Sequence, residues 1–176
     1  GRMGVFQILF EWISSGRNIY TIGDGNVLFQ FIHVDDLLNA YMLLLKKEQT
    51  GIFNVGADRF GTLREALERL VRYAGTSSRV KALPVHPTIA ALRLLDFLRL
   101  SPLAPWHYLT YHTPFFVDSR PLLQLGWKPV YSNDEMLRES YEWYLAHRRS
   151  REELSHLSPH CRPVKERILW ALKKMS

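Results

Sequence analysis

Phe29-Gln30-Phe31-Ile32-His33-Val34-Asp35-Asp36-Leu37 decides how this chain is read. A short apolar strand over Leu28–Ile32 runs directly into an acidic helix start. Asp35 or Asp36 opens a helix reaching about Lys47, because carboxylates there meet unpaired amides and the positive dipole end. Upstream lies the turn Gly23-Asp24-Gly25-Asn26, closing a predicted strand at Ile19–Ile22. Before that, Val5, Ile8, Leu9, Trp12 and Ile13 recur at helical spacing, with Gly16 as the C-terminal cap. Downstream, Gly51-Ile52-Phe53-Asn54-Val55-Gly56 predicts a short buried strand over Ile52–Val55. Thr62 and Glu65 then form a capping box ahead of Leu67, Leu70, Val71 and Ala74, and Gly75 ends that helix.

Farther on, Arg79–Leu83 predicts a strand and Thr88–Leu98 a helix. Pro102 and Pro105 bracket a rigid connection. Phe115–Val117 is expected to be extended, and Arg120–Leu125 to form a short helix ending at Gly126. Ser132 and Glu135 repeat the capping box before a helix over Met136–His147. Ser150–Pro163 is polar and irregular, and Val164–Met175 is a final helix. The class is α/β, with too little regular alternation for a complete doubly wound sheet.

The 176 residues suffice for one domain, or one and a fraction, and 47% hydrophobic with 12% aromatic content supports a core. No apolar run approaches the roughly 20 residues that span a bilayer. Gly1-Arg2-Met3 reads as an abrupt start inside a larger protein. Cys161 is the lone cysteine, which suits a cytoplasmic setting. The net charge of +6 is uneven: from Ala146 onward eight Lys/Arg face three Asp/Glu, while the body is nearly balanced. The basic pI is therefore a property of the tail and gives no nucleic-acid footprint.

Three blocks, in order, resemble the C-terminal portion of the extended short-chain dehydrogenase/reductase family, the NAD-dependent epimerases and dehydratases. They are residues 23–37, residues 51–65, and Val117-Asp118-Ser119-Arg120 through Leu125-Gly126-Trp127-Lys128-Pro129 to Tyr141-Glu142-Trp143-Tyr144. The resemblance implies a substrate-binding lobe over residues 1–147, with one or two strand–helix elements of an incomplete Rossmann domain. Residues 148–176 are a basic tail without a counterpart. It further implies NAD or NADP in the full-length protein and none bound by this fragment. The first partner is then the missing N-terminal Rossmann half.

The family's Gly-rich turn and its Tyr-x-x-x-Lys pair do not occur here; Tyr41 and Lys46 miss that spacing by one. No residue of this chain is therefore assigned a catalytic role. The resemblance implies binding of a small-molecule substrate, a sugar or nucleotide-sugar. The alternatives are a non-catalytic binding or regulatory module on the same fold, or a reductase or isomerase for an apolar substrate. Where nucleotide-sugar members typically carry a diphosphate-binding Arg, this chain has Phe29. The neighbourhood expected to hold a second Arg reads Trp106-His107-Tyr108-Leu109-Thr110-Tyr111-His112 and contains none.

Candidate substrate-binding residues are Phe29, His33, Arg59, Trp106, His107, Tyr108, Tyr111 and His112. Rings and imidazoles hold a sugar or apolar ligand by contact and hydrogen bonding, or else pack beneath a proline-bounded loop. His33-Val34-Asp35-Asp36 is favoured as a strand end and helix cap. No metal site is assigned, since His107 and His112 lack a third ligand at telling spacing. Trp127 and Trp143 are expected in the core, and Asn54 to pair with backbone near Gly56. In the tail, Val164, Ile168, Ala171 or Leu172, and Met175 share a helical face ringed by Lys and Arg. Such a face docks on protein, the favoured reading, or contacts a membrane surface. Partner faces left exposed after Asp36 and at 52–55 predict poor stability or self-association of the isolated fragment, and a homodimer is a further candidate assembly.

Overall fold

The computed structural model describes residues 5–98 and 105–154. The predicted helix 164–175 and Pro102 lie outside them. The main core is a sandwich of helices over a short parallel ladder. Helix α1 (Val5–Ser14) leads into β1 (Ile19–Ile22), which pairs in parallel with β4 (Val80–Leu83), Ile19 opposite Val80. Helix α3 (Leu63–Ala74) packs against α1 and α7 (Asn133–Leu154). Phe10, Ile13, Ile19, Leu67, Leu70, Leu137 and Tyr141 form the shared core. Phe10 meets Tyr141 edge-to-face with ring centroids 5.6 Å apart. Each such fully buried apolar side chain contributes about 1.5–3 kcal/mol of transfer free energy.

Both capping boxes form as the sequence predicts. Glu65 N–H donates to Thr62 Oγ1 at 3.2 Å, and Thr62 N–H donates to the Glu65 carboxylate at 3.1 Å. Ser132 N–H reaches Glu135 at 2.7 Å and Glu135 N–H returns to Ser132 Oγ at 3.3 Å. These acceptors satisfy helix-start amides that would otherwise be orphaned. Gly75 closes α3 in the left-handed conformation, φ +65°.

A second strand pair is small. β2 (Leu28–Phe29) runs antiparallel to β3 (Gly61–Thr62), and Phe115 bridges Phe29 on the other side. The predicted strand to Ile32 stops at Phe29, because side chains take over the ladder's role. Asn133 Oδ1 accepts the N–H of Phe31 at 3.0 Å, while its amide donates to the carbonyl of Phe29 at 2.5 Å. The side chain of the buried Gln30 donates to Ala57 O at 2.6 Å and accepts Val117 N–H at 2.8 Å.

Helix α2 (Val34–Lys46) opens on a different cap from the one expected. His33 occupies the N-cap, its Nδ1 accepting the N–H of Asp35 at 3.2 Å. Asp35 sits in the first turn, and the fully buried Asp36 turns inward. Its two oxygens accept Val130 N–H at 2.9 Å and Tyr131 N–H at 3.0 Å. Trp127 is a core residue as predicted and donates its indole N–H to Asp36 O at 3.1 Å. With Ala40 and Leu122 it forms a second, smaller core under Leu43, Leu44, Phe53 and Val55.

Other expectations are corrected. Residues 52–55 form no strand, since no described strand lies beside them to pair with. Asn54 is exposed. Helix α4 (Val85–Phe97) begins before Thr88, since a proline is tolerated within a first helical turn. Helix α6 (Arg120–Gln124) matches its predicted place, and α5 (Pro105–Thr110), which was not predicted, begins at Pro105, the end of the expected connection. Helix α7 starts at Asn133 and runs on to Leu154, because the Arg- and Glu-rich run 148–153 is composed of good helix formers. Trp143 is half-buried and stacks on His147, ring centroids 4.5 Å apart.

Candidate functional site

The predicted site residues separate into three places. Phe29 and Tyr111 come together: β2 presents the first, the segment after α5 the second, and their rings stack at 5.7 Å with an interplanar angle of 2°. Phe31 and Phe115 lie against Phe29 at 5.2 and 5.5 Å. Beside this stack is an apolar recess of ≈ 90 Å³, lined by Phe6, Leu9, Tyr20, Leu63, Leu67 and Tyr111 among others. Burial of the Tyr111 phenol pushes its pKa up, so the hydroxyl stays protonated. Next to it in sequence, half-buried His112 carries a buried Nδ1 with no hydrogen-bond partner among the described residues. Tyr108 is buried in the protein interior; Trp106 and His107 fall in α5 with side chains outside the described residues.

His33 stands in a second recess of ≈ 390 Å³ with Phe6, Phe10, Phe31, Met136 and Ser140. Its ring stacks on Tyr131 at 3.7 Å, and Nε2 lies 3.3 Å from Glu139. Because Nδ1 accepts a backbone N–H, the pattern assigns the ring proton to Nε2, facing that carboxylate. Burial, then the carboxylates of Asp35 and Glu139, raise the pKa of Tyr131. His33 is thus already engaged on both nitrogens.

Arg59 lies in a third, polar recess of ≈ 300 Å³ between the starts of α3 and α7. Its guanidinium pairs with Glu135 at 3.0 Å and bonds the carbonyl of Val130. Arg69, in the same recess, pairs with Asp134 at 2.8 Å. Both cations are balanced by carboxylates, and Ser132 holds the Glu135 carboxyl below the usual range.

Spacing alone did not find Gln30, Gly56 and Asn133, which set the backbone around Phe29 and Phe31. A Cβ on Gly56 would meet the Gln30 carboxamide at 2.4 Å, so glycine is required there for close approach. The signal was present only as an Asn within a capping box and a Gly after an apolar run. Among the described residues no glycine turn joins a strand to a helix start: Gly23 and Gly25, both at φ +76°, lead from β1 into β2. These residues therefore do not fit a dinucleotide pyrophosphate. No group of three His, Cys, Asp or Glu side chains converges as a metal site among them, and no described helix is long and apolar enough to cross a membrane.

Mixed α/β architecture and the strand–turn–helix run around Phe29 to Asp36 point to the Rossmann-type epimerases and dehydratases. The profile of the family described as NAD dependent epimerase/dehydratase matches residues 2–56, and the chain resembles that family there. Its particular relatives include the uncharacterised protein y4nG of Sinorhizobium fredii, 42% identical over 170 residues, 96% of this chain and 43% of that protein. GDP-L-fucose synthase 1 of Arabidopsis thaliana is 26% identical over 76% of this chain and 35% of its own length. The fold resembles a UDP-glucose 4-epimerase of Thermotoga maritima solved with UDP-glucose, with a TM-score of 0.55 and 22% identity over 83% of this chain and 40% of that one. The chain spans well under half the length of each of these three proteins.

Proposed function

We propose that this chain is the C-terminal, substrate-recognising portion of an NAD(P)-dependent enzyme acting on a nucleotide-linked sugar, and that it is not catalytic alone. The stack of Phe29 on Tyr111 beside the apolar recess carries this reading, because it offers a flat apolar wall to one part of a ligand. His112, next to Tyr111 in the chain and with a buried Nδ1 that has no partner among the described residues, is the candidate hydrogen-bonding group. His33 and Arg59, in two other recesses, and Trp106, His107 and Tyr108 of α5 complete the proposed substrate-binding set. The nicotinamide cofactor is held by residues outside this chain and supplies hydride transfer there. GDP-L-fucose synthase and UDP-glucose 4-epimerase, both named for nucleotide-linked sugars, support this substrate class over an apolar-substrate reductase or a non-catalytic module.

The test is calorimetric titration of the complete translation product containing residues 1–176 with GDP-, dTDP- and UDP-sugars, alongside turnover with NAD and NADP. One nucleotide sugar is expected to bind and turn over, and Tyr111→Ala to weaken binding about tenfold, the scale of one lost aromatic contact. No binding to any of the panel, or unchanged binding in Tyr111→Ala, overturns the assignment.

A further inference from the structure

We infer that Arg79 and Lys81 form a diphosphate-binding pair on one face of the β1–β4 ladder. Their ligand, the phosphates of a nucleotide-linked sugar, rests on the function proposed above. In the parallel register Tyr20 lies opposite Lys81, and Ile22 opposite Leu83. Successive strand residues alternate between faces, and register partners share one. Ile19 and Thr21, 0% and 3% exposed, are buried on the first face. Tyr20 and Ile22 therefore stand on the second, with Lys81 and Leu83. Arg79 joins them by the same alternation, and its carbonyl continues the ladder by accepting Ile19 N–H at 3.0 Å. This second face is half-buried at Tyr20, Ile22 and Leu83 and exposed at the two cations.

The apolar recess lined by Tyr111 reaches the ladder at Tyr20, Thr21 and Ile22. Lys81 stands one strand away from Tyr20, a spacing of about 4.8 Å between neighbouring chains. Arg79 and Lys81 are two residues apart on one face, about 6.6 Å along the strand, so two long side chains reach one anionic group. A guanidinium engages two phosphate oxygens at once, and an ammonium adds a point charge beside it. Other arginines of the body are committed: Arg59 to Glu135, Arg64 to Glu68 and Arg69 to Asp134. No ion pair or side-chain hydrogen bond joins Arg79 or Lys81 to another described residue. Phe29 is uncharged, and residues 106–112 hold neither Arg nor Lys. The pair on β4 supplies the charge that those positions lack.

The test is calorimetric titration of the complete translation product with UDP, GDP, dTDP, the matching nucleosides and inorganic pyrophosphate. Arg79→Gln and Lys81→Gln are compared with Lys128→Gln, which removes an exposed cation elsewhere on the surface. Each of the first two is expected to weaken the preferred nucleoside diphosphate and pyrophosphate about tenfold or more, the scale of one lost charge-assisted hydrogen bond. The nucleoside is expected to bind all variants alike, and Lys81→Arg to keep most of the affinity. Unchanged diphosphate affinity in both Gln variants overturns the inference, as does a loss matched by Lys128→Gln or shared by the nucleoside. Pyrophosphate bound through Arg79 and Lys81 by a protein that takes no nucleotide sugar sinks the functional proposal and leaves the cation pair standing. A nucleotide sugar bound equally by all variants does the reverse, and binding of none of these ligands overturns both.

Discussion

The carboxylate of Asp36 accepts the backbone N–H of Val130 at 2.9 Å, across 94 residues of sequence, and its second oxygen takes Tyr131 N–H at 3.0 Å. One buried side chain thus fixes the start of α2 against the segment that leads into α7. The aromatic groups His33 and Tyr131, stacked at 3.7 Å, are brought face to face by this joint.

Asp36→Asn removes one of the two acceptor oxygens and sets an amide N–H₂ against a backbone N–H. With the carboxylate buried, the expected loss is about 2–4 kcal/mol of stability. Urea denaturation of the two proteins checks it: the midpoint falls with the slope unchanged.

Gly56→Ala drives a methyl into the Gln30 carboxamide, which lies 2.4 Å from the ideal Cβ position. The cost is expected at about 1–3 kcal/mol, as for other overpacked sites. The Gly56→Ala/Gln30→Ala pair is expected to be less than additive, since shortening Gln30 removes the clash. Thermal unfolding of the two single variants and the double variant measures the coupling; strict additivity would show that the contact is not the cause.

Asn133→Ala leaves the Phe31 N–H and the Phe29 carbonyl without the partners they have at 3.0 and 2.5 Å. About 1–3 kcal/mol is expected to be lost, and Phe31 amide exchange to accelerate. Asn133→Asp keeps the acceptor but not the donor, so it is expected to retain protection at Phe31 while losing the bond to Phe29.

The Asp118 carboxyl is held down at about 2 by hydrogen bonds from the Arg120 guanidinium and backbone N–H. A depressed carboxylate contributes stability that is present above its unfolded value and lost as pH falls through the folded one, here between about pH 4 and 2. The pair is exposed, so solvent screens it and the effect on stability is small. Carbon-13 NMR titration of Asp118 is expected to show the low midpoint, and Arg120→Ala to move it toward 3.8, its ordinary value.

Local chemistry was legible in the sequence wherever neighbours along the chain suffice. Thr62–Glu65 and Ser132–Glu135 form reciprocal caps from residues three apart, and Gly75 ends α3 because glycine reaches φ +65° without strain. Trp127 was readable as a core residue from its place after Leu125-Gly126. The stacking of Tyr111 on Phe29 was not readable, because ring contact depends on where α5 returns the chain. Nor was it visible that Arg59 would be tied to Glu135 or His33 to Glu139, since those partners lie 76 and 106 residues away. The strand expected at 52–55 has the composition and alternation of a strand, but a ladder needs a neighbour.

The amino-acid sequence by itself therefore determined the α/β class, the helix caps, the family likeness and the aromatic character of residues 106–112, all set by short-range sterics, hydrogen bonding and hydrophobic period. Only the tertiary structure decided that His33 rather than Asp35 or Asp36 caps α2, that Gln30 and Asn133 replace a continued strand after Phe29, and that one face of α2 remains uncovered. Those outcomes depend on long-range closure, in which buried polar groups take whichever partner the packing brings within hydrogen-bond reach.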